Sequence, residues 1–161
     1  MGKIEITKKV LGICATNCYT VVDTETKEAL IIDPADRADV LIHDWKDKGV
    51  TPTTVLLTHG HFDHIGALAG VKKEYPDIKV YAAAKEKEVM ESPALNLSSS
   101  FGAAFTAQAD IYLEDEAEIE VLGRKCKCLL VPGHTKGGMC YYFPEEHVVF
   151  TGDTLFCYSV G

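Results

Sequence analysis

The chain has 161 residues, 47% of them hydrophobic, which suits one domain with a sizeable core and excludes a disordered chain. Its 16 Lys and Arg against 24 Asp and Glu leave a formal net charge of −8, which argues against a nucleic-acid partner, because such proteins need basic surface to displace counterions. No stretch approaches the roughly 20 apolar residues that span a bilayer, residues 1–9 are no secretory signal, and Ile6 stands where a myristoylation motif needs Ser or Thr. No membrane partner is expected, and a cytoplasmic location is the default.

Residues 3–7 alternate and predict a strand. Residues 18–23 and 28–33 flank the polar turn Thr24-Glu25-Thr26-Lys27 and predict a hairpin. Leu30-Ile31-Ile32 is apolar on both faces, as in a strand buried on both sides, and Pro34 ends it. Asp36 is placed to cap a helix carrying Val40, Leu41 and Trp45, with Gly49 as its stop. A short buried strand at 54–57 leads to a helix over 64–74, with Ile65, Leu68, Ala69 and Val71 on one side. A strand at 79–81 and a charged helix at 85–91 follow. Residues 92–110 show no period and read as a binding loop or lid. Strands are then expected at 117–121, 125–131, 139–143 and 147–151. Strand–helix alternation followed by antiparallel β predicts a mixed α/β protein with more than one sheet.

The six cysteines form no CxxC pair. Reduced, buried small hydrophobes are the expected reading, with Cys126 and Cys128 on one side of a strand.

Thr58-His59-Gly60-His61-Phe62-Asp63-His64 carries the chemistry. Three of the six histidines and an aspartate fall within six positions, between a buried strand and a helix. Sites of α/β sheets gather at such strand ends. Imidazole and carboxylate suit zinc, iron or manganese. His59 and His61 are two apart, so in extended backbone they point the same way and can grip one ion. Asp63 and His64, at the turn into the helix, are expected to diverge from that pair toward a second ion. Val131-Pro132-Gly133-His134-Thr135 and Phe150-Thr151-Gly152-Asp153-Thr154 each end a strand with a further candidate ligand in a glycine turn.

H-x-H-x-D-H, then P-G-H-T, then T-G-D-T-L-F, in that order, resembles the metallo-β-lactamase superfamily of hydrolases. Thr16-Asn17-Cys18-Tyr19, Ile32-Asp33-Pro34 and Ser159-Val160-Gly161 are similar to its glyoxalase II-like branch, that of the hydroxyacylglutathione hydrolases. The resemblance runs from about residue 10 to the last residue. It implies a four-layer αββα sandwich with metals at one edge of the two sheets. It also implies that His59, His61 and His134 hold a first zinc, that Asp63 and His64 hold a second, and that Asp153 bridges them. Iron or manganese could stand in for zinc. Members of the branch continue beyond the S-V-G segment with one more strand, helices and a last histidine ligand. The expected fold is therefore C-terminally incomplete, its second metal position weak, and its exposed sheet edge covered by self-association or by another chain.

The function implied is hydrolysis of a small-molecule thioester, such as a hydroxyacyl-glutathione, by a metal-activated hydroxide oriented by Asp63. Asp33 is either a carboxylate that orients a ligand histidine or a turn former. Lys136, just after His134, is either a contact for an anionic substrate or, more commonly for such a residue, a solvated lysine. His43, mid-helix, and His147, after a turn, are expected to be ordinary surface residues. Two alternatives share these motifs: a mononuclear iron dioxygenase of thiols or persulfides, and a catalytically impaired metal-binding module. A nuclease reading is disfavoured by the acidic charge.

Overall fold

The strand Glu28–Ile32 organises the molecule, because its successive side chains enter two different cores. The computed structural model describes residues 2–101, 104–132, 135, 137–152, 155–156 and 159–160, the last four by backbone only. Strands β1 (Ile4–Leu11), β2 (Thr16–Asp23), β3 (Glu28–Ile32), β4 (Thr51–Leu56), β5 (Lys79–Ala83) and β6 (Ile111–Leu113) lie side by side in that order. β1, β2 and β3 pair antiparallel, whereas β3, β4, β5 and β6 run parallel. A second, antiparallel sheet has the order β10-β9-β8-β7, from Ala117–Val121 (β7), Arg124–Leu130 (β8), Met139–Phe143 (β9) and Val148–Phe150 (β10). Leu155–Phe156 and Ser159–Val160 form a small antiparallel pair.

Register and alternation sort the side chains. Ile31 pairs with Val55 and Val55 with Val80, and all three join the helix-side core. Ile32 pairs with Leu56, and both point to the other core with Leu30. Helices α1 (Ala38–Asp47), α2 (Phe62–Ile65), α3 (Leu68–Glu74) and α4 (Lys87–Met90) all contribute to the first core, through Leu41, Trp45, Ile65, Leu68, Val71 and Met90. The second core is held between the sheets by Val21, Leu30 and Leu56 against Cys126, Cys128, Met139, Tyr141 and Phe143. The result is the expected α/β architecture: helices, sheet and sheet in layers, with Cys126 and Cys128 buried on one side of β8.

Three expectations change. Asp36 does not cap α1. Its Oδ1 accepts the N–H of Arg37 at 2.8 Å, and Arg37, in the left-handed region at φ 52°, holds the N-cap position without a side-chain cap. Gly49, at φ 66°, does stop α1. The helix expected over 64–74 is broken into α2 and α3. At the break, Ala67 N–H donates to the carbonyl of Pro34 at 2.9 Å. Gly66 lies so close to Ala35 that a Cβ there would come within 2.3 Å of its carbonyl oxygen. Finally, the charged helix expected over 85–91 is a 3-10 turn at Ala84–Glu86 followed by the short α4, and Glu86 is fully buried.

Among the described residues no helix is long and apolar enough to cross a membrane.

Candidate metal centre

Parallel strands deliver their following loops to one edge of a sheet. Asp33 follows β3, the segment 57–64 follows β4, and Glu86 follows β5, so all three reach the same edge. Asp33 sits at φ 52°, a backbone conformation that a non-glycine residue adopts only when its surroundings enforce it. What enforces it is a set of buried hydrogen bonds. Asp33 Oδ1 accepts the backbone N–H of Thr58 at 2.8 Å, and Oδ2 accepts the Thr58 hydroxyl at 2.6 Å. Oδ2 also lies 2.8 Å from His64 Nδ1. Asp33 is thus the carboxylate that orients a candidate ligand histidine, not a simple turn former. Its bond to Nδ1 leaves Nε2 of His64 as the atom turned toward a ligand.

His59 and His64 are buried, and their ring centroids are 3.9 Å apart. His61 stands edge-on to His59 with ring centroids 5.0 Å apart. Asp63 and His64 do not diverge from that pair. α2 begins at Phe62 and curls both residues back, with the His64 N–H donating to the His61 carbonyl at 2.9 Å. One ligand atom each from His59, Asp63 and His64 converge within 4.8 Å of one another. Two imidazoles and a carboxylate at that separation fit a divalent transition metal by donor chemistry and by charge.

Asp63 is further fixed by Thr16, whose hydroxyl donates to Oδ2 at 2.8 Å, while His64 Nε2 lies 3.3 Å from the same oxygen. Burial raises the Asp63 pKa, but the contacts with His64 and Thr16 outweigh it and hold the carboxyl below its usual range. It is therefore a carboxylate at neutral pH.

His134 and Asp153 lie outside the described residues, as does Lys136. Their chain neighbours do reach the site. Gly152, at φ 57°, packs so tightly on Thr58 that a Cβ there would come within 2.4 Å of the hydroxyl oxygen. Met139, opening β9, donates its N–H to the Thr58 carbonyl at 2.8 Å. His43 and His147 are exposed, as expected. Spacing alone did not reveal Thr16, which meets Asp63 across 47 positions, or Thr58 as the junction between the sheets.

Two clefts meet at Asp63. One, of about 680 Å³, is lined by Lys8, Thr16, Asn17, Tyr19, His64 and Thr151. The other, of about 330 Å³, lies among Ile13, Ala35, Phe62, Phe101 and Phe105. Phe62 and Phe101 stack with centroids 4.7 Å apart, so the aperiodic segment 92–110 does flank the site. Asn96 ties it there: its carbonyl accepts the Phe62 N–H at 2.7 Å, and its Nδ2 donates to the Phe105 carbonyl at 2.9 Å.

The metallo-beta-lactamase superfamily profile matches residues 11–160. The chain belongs to the metallo-beta-lactamase superfamily. It is 35% identical over 153 residues to the probable metallo-hydrolase YqgX of Bacillus subtilis (strain 168), covering 94% of this chain and 71% of that protein. It is 30% identical over 149 residues to a hydroxyacylglutathione hydrolase of Synechococcus sp. (strain ATCC 27144 / PCC 6301 / SAUG 1402/1), covering 89% of this chain and 51% of that protein. The crystal structure of BLEG-1 B3 metallo-beta-lactamase superposes with a TM-score of 0.90 at 39% identity, covering 98% of this chain and 76% of that one. The chain thus spans between half and three quarters of these proteins. Membership of this superfamily of metal-dependent hydrolases accounts for the histidine–aspartate cluster at the sheet edge.

Proposed function

We propose that the protein is a zinc-dependent hydrolase of small-molecule thioesters, a hydroxyacyl-glutathione being the type of substrate. The observation that carries this is the convergence of His59, Asp63 and His64 at the sheet edge, with Asp33 holding His64. In this reading His59, His61 and His134 would hold a first metal and Asp63 and His64 a neighbouring second one, close enough for His59, Asp63 and His64 to converge within 4.8 Å, with Asp153 as a ligand they would share. When bound, zinc lowers the pKa of coordinated water toward neutrality and polarises a carbonyl oxygen.

The chain's own residues supply the rest. Asp33 fixes the tautomer and direction of His64 by accepting at Nδ1, and the bonds to Thr58 keep Asp33 from turning away. Asp63, kept ionised by Thr16 and His64, both contributes a ligand oxygen and orients the attacking water. The clefts on either side of Asp63 let the two halves of a thioester leave the reacting carbon in different directions. Phe62 and Phe101 offer an apolar wall to one half, and Lys8 and Asn17 polar contacts to the other.

The test is metal content together with turnover on a hydroxyacyl-glutathione thioester, a β-lactam and a thiol persulfide. The expected result is zinc in the purified protein and thioester turnover that a chelator abolishes and zinc restores. Preferential β-lactam turnover would overturn the thioester assignment. Iron content with oxygen uptake on the persulfide would replace hydrolysis by dioxygenation.

A further inference from the structure

Glu86 follows β5, in a segment whose sequence reads as a charged helix, and its side chain is fully buried. Both of its oxygens are engaged, and by different elements. Oε1 accepts the N–H of Gly60 at 2.8 Å, and Oε2 accepts the N–H of Gly137 at 3.0 Å. Gly60 is the residue between His59 and His61. Gly137 stands three positions after His134 in the sequence and leads into β9, whose first N–H returns to Thr58, the residue before His59. The bonds therefore close a circuit from Thr58 through Met139, Gly137, Glu86 and Gly60 back to the ligand loop.

The glycines show how tightly the circuit is drawn. A Cβ on Gly60 would lie 2.6 Å from Met90 Cγ and 3.3 Å from Glu86 Cγ. A Cβ on Gly137 would lie 2.6 Å from both the backbone nitrogen and Oε2 of Glu86. At Gly137 the approach to the Glu86 backbone is one that only glycine admits, while at Gly60 the Met90 side chain and, by a few tenths of an ångström, Glu86 would have to shift. A carboxylate also suits the task chemically. It accepts on both oxygens, whereas an amide of the same shape would present a donor to one of the two N–H groups.

We propose that Glu86 is a positioning residue for the metal centre: it sets the separation between the loop bearing His59 and His61 and the turn after His134, and so tunes metal affinity. The proposal rests on the metal-centre reading above. It assigns Glu86 no contact with metal or substrate. Groups that orient ligands from one step away change metal affinity by about 10–100-fold when replaced.

The experiment measures zinc affinity by chelator competition, and the visible spectrum of the cobalt(II)-loaded chain, for wild type, H61A, E86Q and G137A. The thermal midpoint of each metal-free protein is recorded alongside. Glu86→Gln keeps the shape and one acceptor. Gly137→Ala keeps the carboxylate and pushes against it, and so decides the matter if E86Q does not fold. The expected result is zinc affinity lowered about tenfold or more in both variants, with a shifted cobalt(II) spectrum in the folded fraction. Wild-type affinity and spectrum in the folded variants, whatever their metal-free midpoints, would overturn the role of Glu86 and leave the metal centre standing. Failure of wild type itself to bind zinc would overturn both, and retention by H61A of the wild-type zinc and spectrum would remove His61, and with it the loop that Glu86 is said to position, from the centre.

Discussion

Two clusters of buried charged side chains among the described residues solve the cost of burial in different ways. Away from the metal centre, Arg124 is enclosed with Asp23 and Glu146, at 2.8 and 2.6 Å, and also donates to the carbonyls of Leu122 and Gly2. There the positive charge is part of the chain, and the cluster ties β8 to the end of β2 and to the turn before β10. At the sheet edge the converging atoms are imidazole nitrogens and carboxylate oxygens, from His59, Asp63 and His64, with Asp33 behind them. A guanidinium closes a network by satisfying its own neighbours. Imidazoles and carboxylates aimed at one point suit a cation brought from solution. Burial of charge does not by itself mark function; the kinds of atoms that converge do.

The largest break in this comparison should come from His61→Ala. It is expected to abolish zinc binding at the first position and reduce hydrolysis to background, with the fold retained, as read by metal content and circular dichroism. Retention of the full metal complement would remove His61 from the ligand set. Asp33→Asn comes next. The amide still fills the space but presents a donor at one of the two positions, either to the Thr58 N–H or to the Thr58 hydroxyl and His64 Nδ1. Zinc affinity should drop about 10–100-fold. Unchanged affinity by chelator competition would reduce Asp33 to a structural role.

A helix break separates the two kinds of effect. Gly66→Ala must displace the Ala35 carbonyl or the start of α3, and should cost about 1–3 kcal/mol in denaturant unfolding. Because α2 carries Asp63 and His64, the same variant should also bind zinc more weakly. A stable G66A protein with normal zinc affinity would show that the α2–α3 break does not aim the ligands.

Arg124→Met is the converse experiment. It should lower the thermal midpoint by several degrees and leave zinc affinity unchanged, since its cluster holds the fold and not the ion. The two clusters should also separate by pH. Histidine must be neutral to coordinate, so protons compete with zinc for the ligands and the metal should be released progressively on acidification, while the chain stays folded. The hydrogen bond from Arg124 holds the Asp23 carboxyl well below its usual range. A depressed folded pKa adds stability that is fully present above the unfolded value near 3.9 and is lost only as the pH falls through the lower folded value. Wild type should therefore lose its metal first and its fold much later in an acid titration. In R124M the second step should weaken and the first stay in place. Coincident loss of metal and fold in wild type would contradict this separation.

Local chemistry was legible along the chain. The hairpin of β2 and β3 follows from two apolar runs about a polar turn, and the doubly buried β3 from Leu30-Ile31-Ile32. The motif at 59–64 marked candidate ligands because three histidines and an aspartate at that spacing, between a buried strand and a helix, suit a metal better than a surface loop. Asp33 was readable as a candidate only, because an aspartate before proline is equally a turn former until its oxygens are seen on His64 and Thr58. What the residues determined by themselves was therefore the order of elements, the α/β class and the metal-binding chemistry. The tertiary structure alone decided the rest. It broke one expected helix at Gly66, since the Pro34 and Ala35 carbonyls that break it come from another loop. It turned Asp63 and His64 back toward His59. It brought Thr16 to Asp63 across 47 positions, and it buried Glu86 between two glycines. Such contacts depend on where parallel strands deliver their loops, and the spacing of residues along a single segment carries no record of that.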